Sequence, residues 1–202
     1  MKKILIPLII IVGLVVIIGA WFASVNNKLV PLEENVAGQW GNVESAYQRR
    51  ADLIPNIVNT AKGYAEFEQE TLLKVTEARS KATSINIDPS NITPQQLAQF
   101  QQAQSGLTSA LSRLLAVFER YPDLKANENF KELINELERT ENRINVERNR
   151  FNETAKQFNT EIRLFPTNMI AGMLGFEKKT YFEADAGSEN APDVEFDFGK
   201  DS

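Results

Sequence analysis

Residues 127–166 read NENFKELINELERTENRINVERNRFNETAKQFNTEIRLFP, and within them Phe130, Leu137, Ile144, Phe151, Phe158 and Phe165 recur at every seventh position. Ile134, Glu141, Arg148, Ala155 and Ile162 form a neighbouring row. Only an α-helix places both rows on one face, so the stretch predicts a long amphipathic helix with a seam for partner helices. Asn127 supplies a capping side chain and Pro166 a stop. About 39 helical residues extend ~58 Å at ~1.5 Å per residue, which predicts a rod rather than a sphere.

The same periodicity recurs upstream. From Pro31 onward, one row reads Val36, Val43, Arg50, Ile57 and Tyr64, and the other Trp40, Tyr47, Ile54 and Ala61. Gly38 and Gly41 weaken this helix locally, and Pro55 removes a hydrogen bond in mid-helix, so a kink is expected near Asp52 to Pro55. Gly63 offers a break before a second helix over Glu66 to Thr83. Ile85 to Thr93, INIDPSNIT, reads as a loop. Thr93-Pro94 then gives a cap and a first-turn proline for a helix with the apolar face Leu107, Leu111, Leu114, Leu115 and Phe118, stopping at Tyr121-Pro122. A reversal near Gly63 gives four helices in up-and-down order; the last then runs antiparallel to the first, Arg50 lies near Glu141, and Phe165 returns to the start of the bundle. An unbroken helix from Val36 to Thr83 would give three helices and send Phe165 to the far end.

What precedes the bundle sets its location. After a short basic start with Lys2 and Lys3, Ile4 to Ala23 form an uncharged run of twenty residues, ILIPLIIIVGLVVIIGAWFA. Twenty helical residues reach ~30 Å, the thickness of a bilayer's hydrocarbon core. A cleaved signal peptide has a shorter apolar region, ~7–15 residues, followed by small residues, so the reading is a single transmembrane anchor. Trp21 and Phe22 sit where aromatic side chains favour the lipid interface. Ser24 to Lys28 reads as a polar junction to the bundle over 30–182. Lys2 and Lys3, set against Lys28 alone before Arg49, predict a cell (inner) membrane protein with its amino terminus inside and its domain extracytoplasmic.

The net charge of -5 is concentrated at the far end, where residues 183–202 hold seven acids against Lys200. This acidic tail, which carries Phe196 and Phe198, reads as disordered. The rest is balanced and offers no basic field for nucleic acid. Cysteine and histidine are absent, which excludes disulfides, thiol and Ser-His nucleophilic catalysis, histidine zinc sites and Glu-x-x-His di-iron centres. No catalytic, cofactor-binding or metal-ligating set stands out. Glu66 and Glu70 alone are too few oxygen donors for a cation.

Three charges occupy positions that the heptads assign to the interior. Arg50, Glu141 and Arg148 are expected to pair there as a structural polar seam that fixes helix register, and removal of Glu141 from a closed seam is expected to cost roughly 3–5 kcal/mol. A second group concerns the membrane. Met169, Ile170, Met173, Leu174 and Phe176, followed by Lys178 and Lys179, form an apolar, lysine-flanked segment. Brought back beside the anchor, it would join Trp21 and Phe22 at the bilayer surface, with apolar residues inserted and lysines among headgroups. The competing reading packs it on the base of the bundle.

Several blocks carry a family likeness. Gln48-Arg49-Arg50-Ala51-Asp52-Leu53-Ile54-Pro55-Asn56, Lys62-Gly63-Tyr64-Ala65, Val75-Thr76-Glu77-Ala78-Arg79, Tyr121-Pro122-Asp123-Leu124-Lys125-Ala126-Asn127, Thr140-Glu141-Asn142-Arg143-Ile144, the Phe151-Asn152 and Phe158-Asn159 pairs and Phe165-Pro166 together resemble the LemA family. The resemblance covers about Val30 to Phe182. Phe67 departs from a polar residue expected there, and Phe151 and Phe158 from tyrosine. The likeness implies an all-α, elongated up-and-down four-helix bundle behind one membrane helix, with no established enzymatic activity or cofactor. The functional expectation is a membrane-anchored helical scaffold that contacts the lipid bilayer through its anchor and binds unidentified protein partners or self-associates. An adaptor acting through the acidic tail is the runner-up, and an orphan enzyme comes third.

Overall fold

A computed structural model describes residues 2–63 and 68–184. Among them the chain is all-α: α1 Lys2–Lys62, α2 Gln69–Thr83, α3 Pro94–Phe118, the short α4 Pro122–Ala126, α5 Glu128–Glu161 and the single turn α6 Asn168–Ala171. The expected tail disorder and Phe67 lie outside the described residues.

α1 corrects one expectation. It is one helix of 61 residues, ~92 Å of helical rise, and both Ser24 to Lys28 and Pro55 lie within it. The expected junction is therefore helical, and the apolar run and the first bundle helix are one continuous element. Pro7, Pro31 and Pro55 all lie inside it. Packing explains why Pro55 does not end the helix: Ile54 and Ile57 on either side are fully buried, and burial of such side chains is worth ~1.5–3 kcal/mol each, offsetting the local cost of about 3 kcal/mol for proline.

The caps are as the residues dictate. Gln96 N–H donates to Thr93 Oγ1 at 3.2 Å and Thr93 N–H donates to Gln96 Oε1 at 3.2 Å, a reciprocal capping box. Phe130 N–H donates to Asn127 Oδ1 at 2.9 Å at the start of α5. α5 ends at Glu161 rather than Pro166, so Phe165 leaves the seam and is 79% exposed.

Helices α1, α2, α3 and α5 form an up-and-down bundle. Lys28 pairs with Glu161, Gln39 with Glu147, and Arg49 with Glu136. Rising numbers on α1 meet falling numbers on α5, so the two helices are antiparallel and α5 returns to the apolar end of α1. The interior forms two clusters. A proximal one gathers Leu29, Val36, Trp40, Val43, Phe100, Ile144, Phe151 and Phe158, and a distal one gathers Ile54, Ile57, Leu72, Val75, Leu107, Leu114, Phe130 and Leu137.

Beyond α6 the chain turns at Gly175, whose φ of 84° suits glycine, and returns along the bundle as an extended strap from Phe176 to Glu183. Phe182 stacks on Trp40 with centroids 5.8 Å apart and meets Phe151 edge-on at 5.4 Å. In the proximal half, this strap fills the space between α5 and α3.

Candidate functional site

Arg50 lies where the two clusters meet. Its side chain is 1% exposed; Nη1 donates to Glu141 Oε1 at 2.5 Å and to Thr108 Oγ1 at 2.9 Å, and Nη2 donates to Gln104 Oε1 at 2.6 Å. Gln104 in turn donates to the Ala82 carbonyl at 3.2 Å, so this polar layer draws on α1, α2, α3 and α5. A charge buried here is tolerable because hydrogen-bond acceptors surround it. The Glu141 side chain is 33% exposed, and the layer opens on one side into a polar cavity of about 380 Å³ bordered by Thr108, Ser112 and Asn145.

Arg148, seven residues beyond Glu141 on α5, borders the same polar cavity. It is half-buried on the flank of α5 that faces the strap, donates to the Glu183 carbonyl at 2.8 Å, and sits over the Phe182 ring at 5.2 Å. The buried charge one position earlier is Glu147, which the heptad rows missed. α5 has two flanks: Thr140 and Glu147 lie on one, while Glu141 and Arg148 lie on the other and border the polar cavity that α3 also lines. Glu147 is 1% exposed and accepts from Gln39 at 2.7 Å, Arg143 at 2.6 Å and Arg150 at 3.2 Å. Burial by itself raises its carboxyl pKa; the Gln39 donor and the two guanidiniums outweigh that effect and hold it below the usual glutamate value.

Two asparagines fix the strap. Asn159 donates to the Lys179 carbonyl and accepts from the Lys179 N–H, both at 2.8 Å. Asn152 repeats the pattern on Phe182 at 3.0 and 2.8 Å. Seven helical residues advance ~10.5 Å and three extended residues ~10 Å, so the spacings match. The only sequence signal for this clamp was the repeated Phe-Asn pair.

The base of the bundle divides the residues expected at the membrane. Ile170, Phe176 and Lys179 are buried and unavailable to lipid. Ile170 packs with Val25 and Leu29, and Lys179 donates to Glu33 at 2.5 Å with its ammonium 5.4 Å from the Phe158 ring. These three correct the expectation, because the returning strap needs their side chains to fill the proximal core. Trp21, Phe22 and Leu174 are partly buried against the same cluster. Met169 and Met173 remain exposed, at 60% and 74%, and Leu164 and Phe165 join them; Lys178 is also exposed. Above this base Val30, Leu73 and Val146 are exposed singly, whereas Ile6 to Ile18 on α1 present apolar side chains outward all around.

A helical bundle carried on a helix long and apolar enough to cross a bilayer, with a polar layer around a buried arginine and a base of exposed apolar side chains, defines the class. Comparison with known proteins gives the family. The profile of the LemA family matches residues 39–196, and the chain belongs to that family. It is 28% identical over 158 residues to Protein LemA of Metamycoplasma hominis, covering 78% of this chain and 68% of the relative. It is 26% identical to Magnetosome protein MamQ 2 of Paramagnetospirillum magneticum over 174 residues, with 78% and 64% covered. It is also 26% identical to Magnetosome protein MamQ of Magnetospirillum gryphiswaldense over 173 residues, with 77% and 64% covered. The chain thus spans about two thirds of these relatives' lengths, and none of their names states a chemical reaction.

Proposed function

We propose that the protein is a membrane-tethered scaffold: α1 crosses the bilayer and continues without a joint into the bundle, and the base of the bundle rests in the lipid interface. The observation that carries this reading is the exposure of Leu164, Phe165, Met169 and Met173 just past the end of α5, where Glu161 pairs with Lys28, six residues, ~9 Å of helix, from Phe22. Exposed methionine and phenylalanine side chains of this kind gain by entering the acyl boundary, and Lys178 beside them suits anionic headgroups. Held by a continuous helix and by this base, the rod stands in a fixed pose and presents its side faces to partners or to further copies. The magnetosome names of two relatives support a role at a membrane. The lysine balance favours an extracytoplasmic domain.

The chain has no cysteine, so one introduced thiol labels one site. Met173→Cys and, midway along the bundle, Ser112→Cys are labelled with a polarity-sensitive dye in vesicles containing lipid-borne quenchers. Quenching at 173 but not at 112 is expected. A dye at 173 that stays as accessible to water as the one at 112 overturns the seated base.

A further inference from the structure

Between α2 and α3 lies an open groove of about 680 Å³, within the ~300–1,000 Å³ typical of ligand sites. Ala78, Ala103 and Ala110 are half-buried along its floor, and at Gly106 an added Cβ would meet nothing within 4 Å. Lys74, which pairs with Glu70 at 2.5 Å, Lys81 and Arg113 border it, with Glu77 as the one acid in the lining. It is thus an apolar trough with a cationic edge, and no described segment of the chain covers it.

The chain supplies a segment of matching chemistry. Residues 193–198, DVEFDF, alternate acid and apolar side chains; an extended backbone places Val194, Phe196 and Phe198 on one side and Asp193, Glu195 and Asp197 on the other. The family match extends to residue 196, twelve residues past the last described one, so residues 193–196 of this segment fall within the pattern of the domain. Its starting point is also favourable. The Gln101 amide donates to the Glu183 carbonyl at 3.2 Å, which puts the end of the strap on the α5-facing side of α3, one helix width from Gln99 and Gln102 of the groove. Nine residues separate Ala184 from Val194 and span up to ~30 Å, against a helix diameter of ~10–12 Å.

We propose that residues 193–198 bind in the α2–α3 groove of their own chain, with the phenylalanines on the alanine floor and the acids against Lys74, Lys81 and Arg113. The groove is then a receptor for acidic, aromatic, extended peptides that the tail occupies in cis. A partner carrying such a motif would have to displace it. Tethering favours the tail through its high effective concentration.

The full chain in detergent micelles tests this. Gly199→Cys, the sole thiol, is coupled to a photoreactive benzophenone, irradiated, and the attachment sites are mapped by mass spectrometry. Attachment within one chain to residues 74–85 and 99–113 is expected, with a several-fold lower yield in 1 M salt, where the screening length is ~3 Å. Lys81→Glu with Arg113→Glu is expected to lower the yield similarly, and circular dichroism confirms that this variant is folded. Attachment elsewhere on the bundle, attachment only between copies, or a yield indifferent to both salt and charge reversal overturns the proposal.

Discussion

Glu141→Ala removes the one carboxylate among the described residues that contacts the buried guanidinium of Arg50. For a fully enclosed pair the cost is roughly 3–5 kcal/mol, because the remaining charge has no partner. Two features of this site lower that figure. Arg50 keeps Gln104 and Thr108 as acceptors, and the Glu141 side chain is 33% exposed, so water can enter where the carboxylate stood. A hydrogen bond to a charged group contributes ~1.5–3 kcal/mol, and a loss of about 2–3 kcal/mol is expected, equivalent to a fall in Tm of roughly 4–12 °C for a domain of this size. The assay is urea unfolding in detergent followed by the fluorescence of buried Trp40, in a Trp21→Phe background. Arg50→Met provides the second arm of a double-mutant cycle. With no charge left to strand, Glu141→Ala in that background should cost well under 1 kcal/mol. An equal cost in both backgrounds, or an unchanged midpoint in the first, would show that the layer does not act as a coupled unit.

Three further outcomes follow from the same geometry. Glu147 has a folded pKa below its unfolded value, so its stabilising contribution is complete above the ordinary glutamate value, ~4.3, and is lost as pH falls from there through the folded value; Glu147→Gln should flatten the pH dependence of Tm in that window. Asn159→Ala leaves the Lys179 N–H and C=O without their partner and should cost about 2–4 kcal/mol, read as faster proteolysis within residues 176–183; a strap as resistant as the native one would refute the clamp. Gly41→Ala, at a helical position where a Cβ meets nothing within 4 Å, should raise stability by roughly 0.5–1 kcal/mol, detectable by thermal melting.

Much of the fold is written in local patterns. Seven-residue rows, the Thr93-Pro94 cap, the Asn127 cap and the 85–93 loop depend on side chains within a turn or two of one another, so sequence alone determined helices, their order and the all-α class. The uninterrupted apolar run likewise determined an N-terminal helix long enough to span a bilayer. Tertiary structure decided what depends on contacts distant in sequence. Pro55 does not end α1, because Ile54 and Ile57 are locked into the distal core. Glu147, rather than Arg148, became the second buried charge, because α1 closes one flank of α5 and the strap closes the other. Asn152 and Asn159 became the clamp, since an extended segment from twenty to thirty residues downstream happens to advance three residues for every seven of the helix. Ile170, Phe176 and Lys179 went inside for the same reason: heptad periodicity describes how helices meet one another, and it carries no information about a non-helical segment that completes their core.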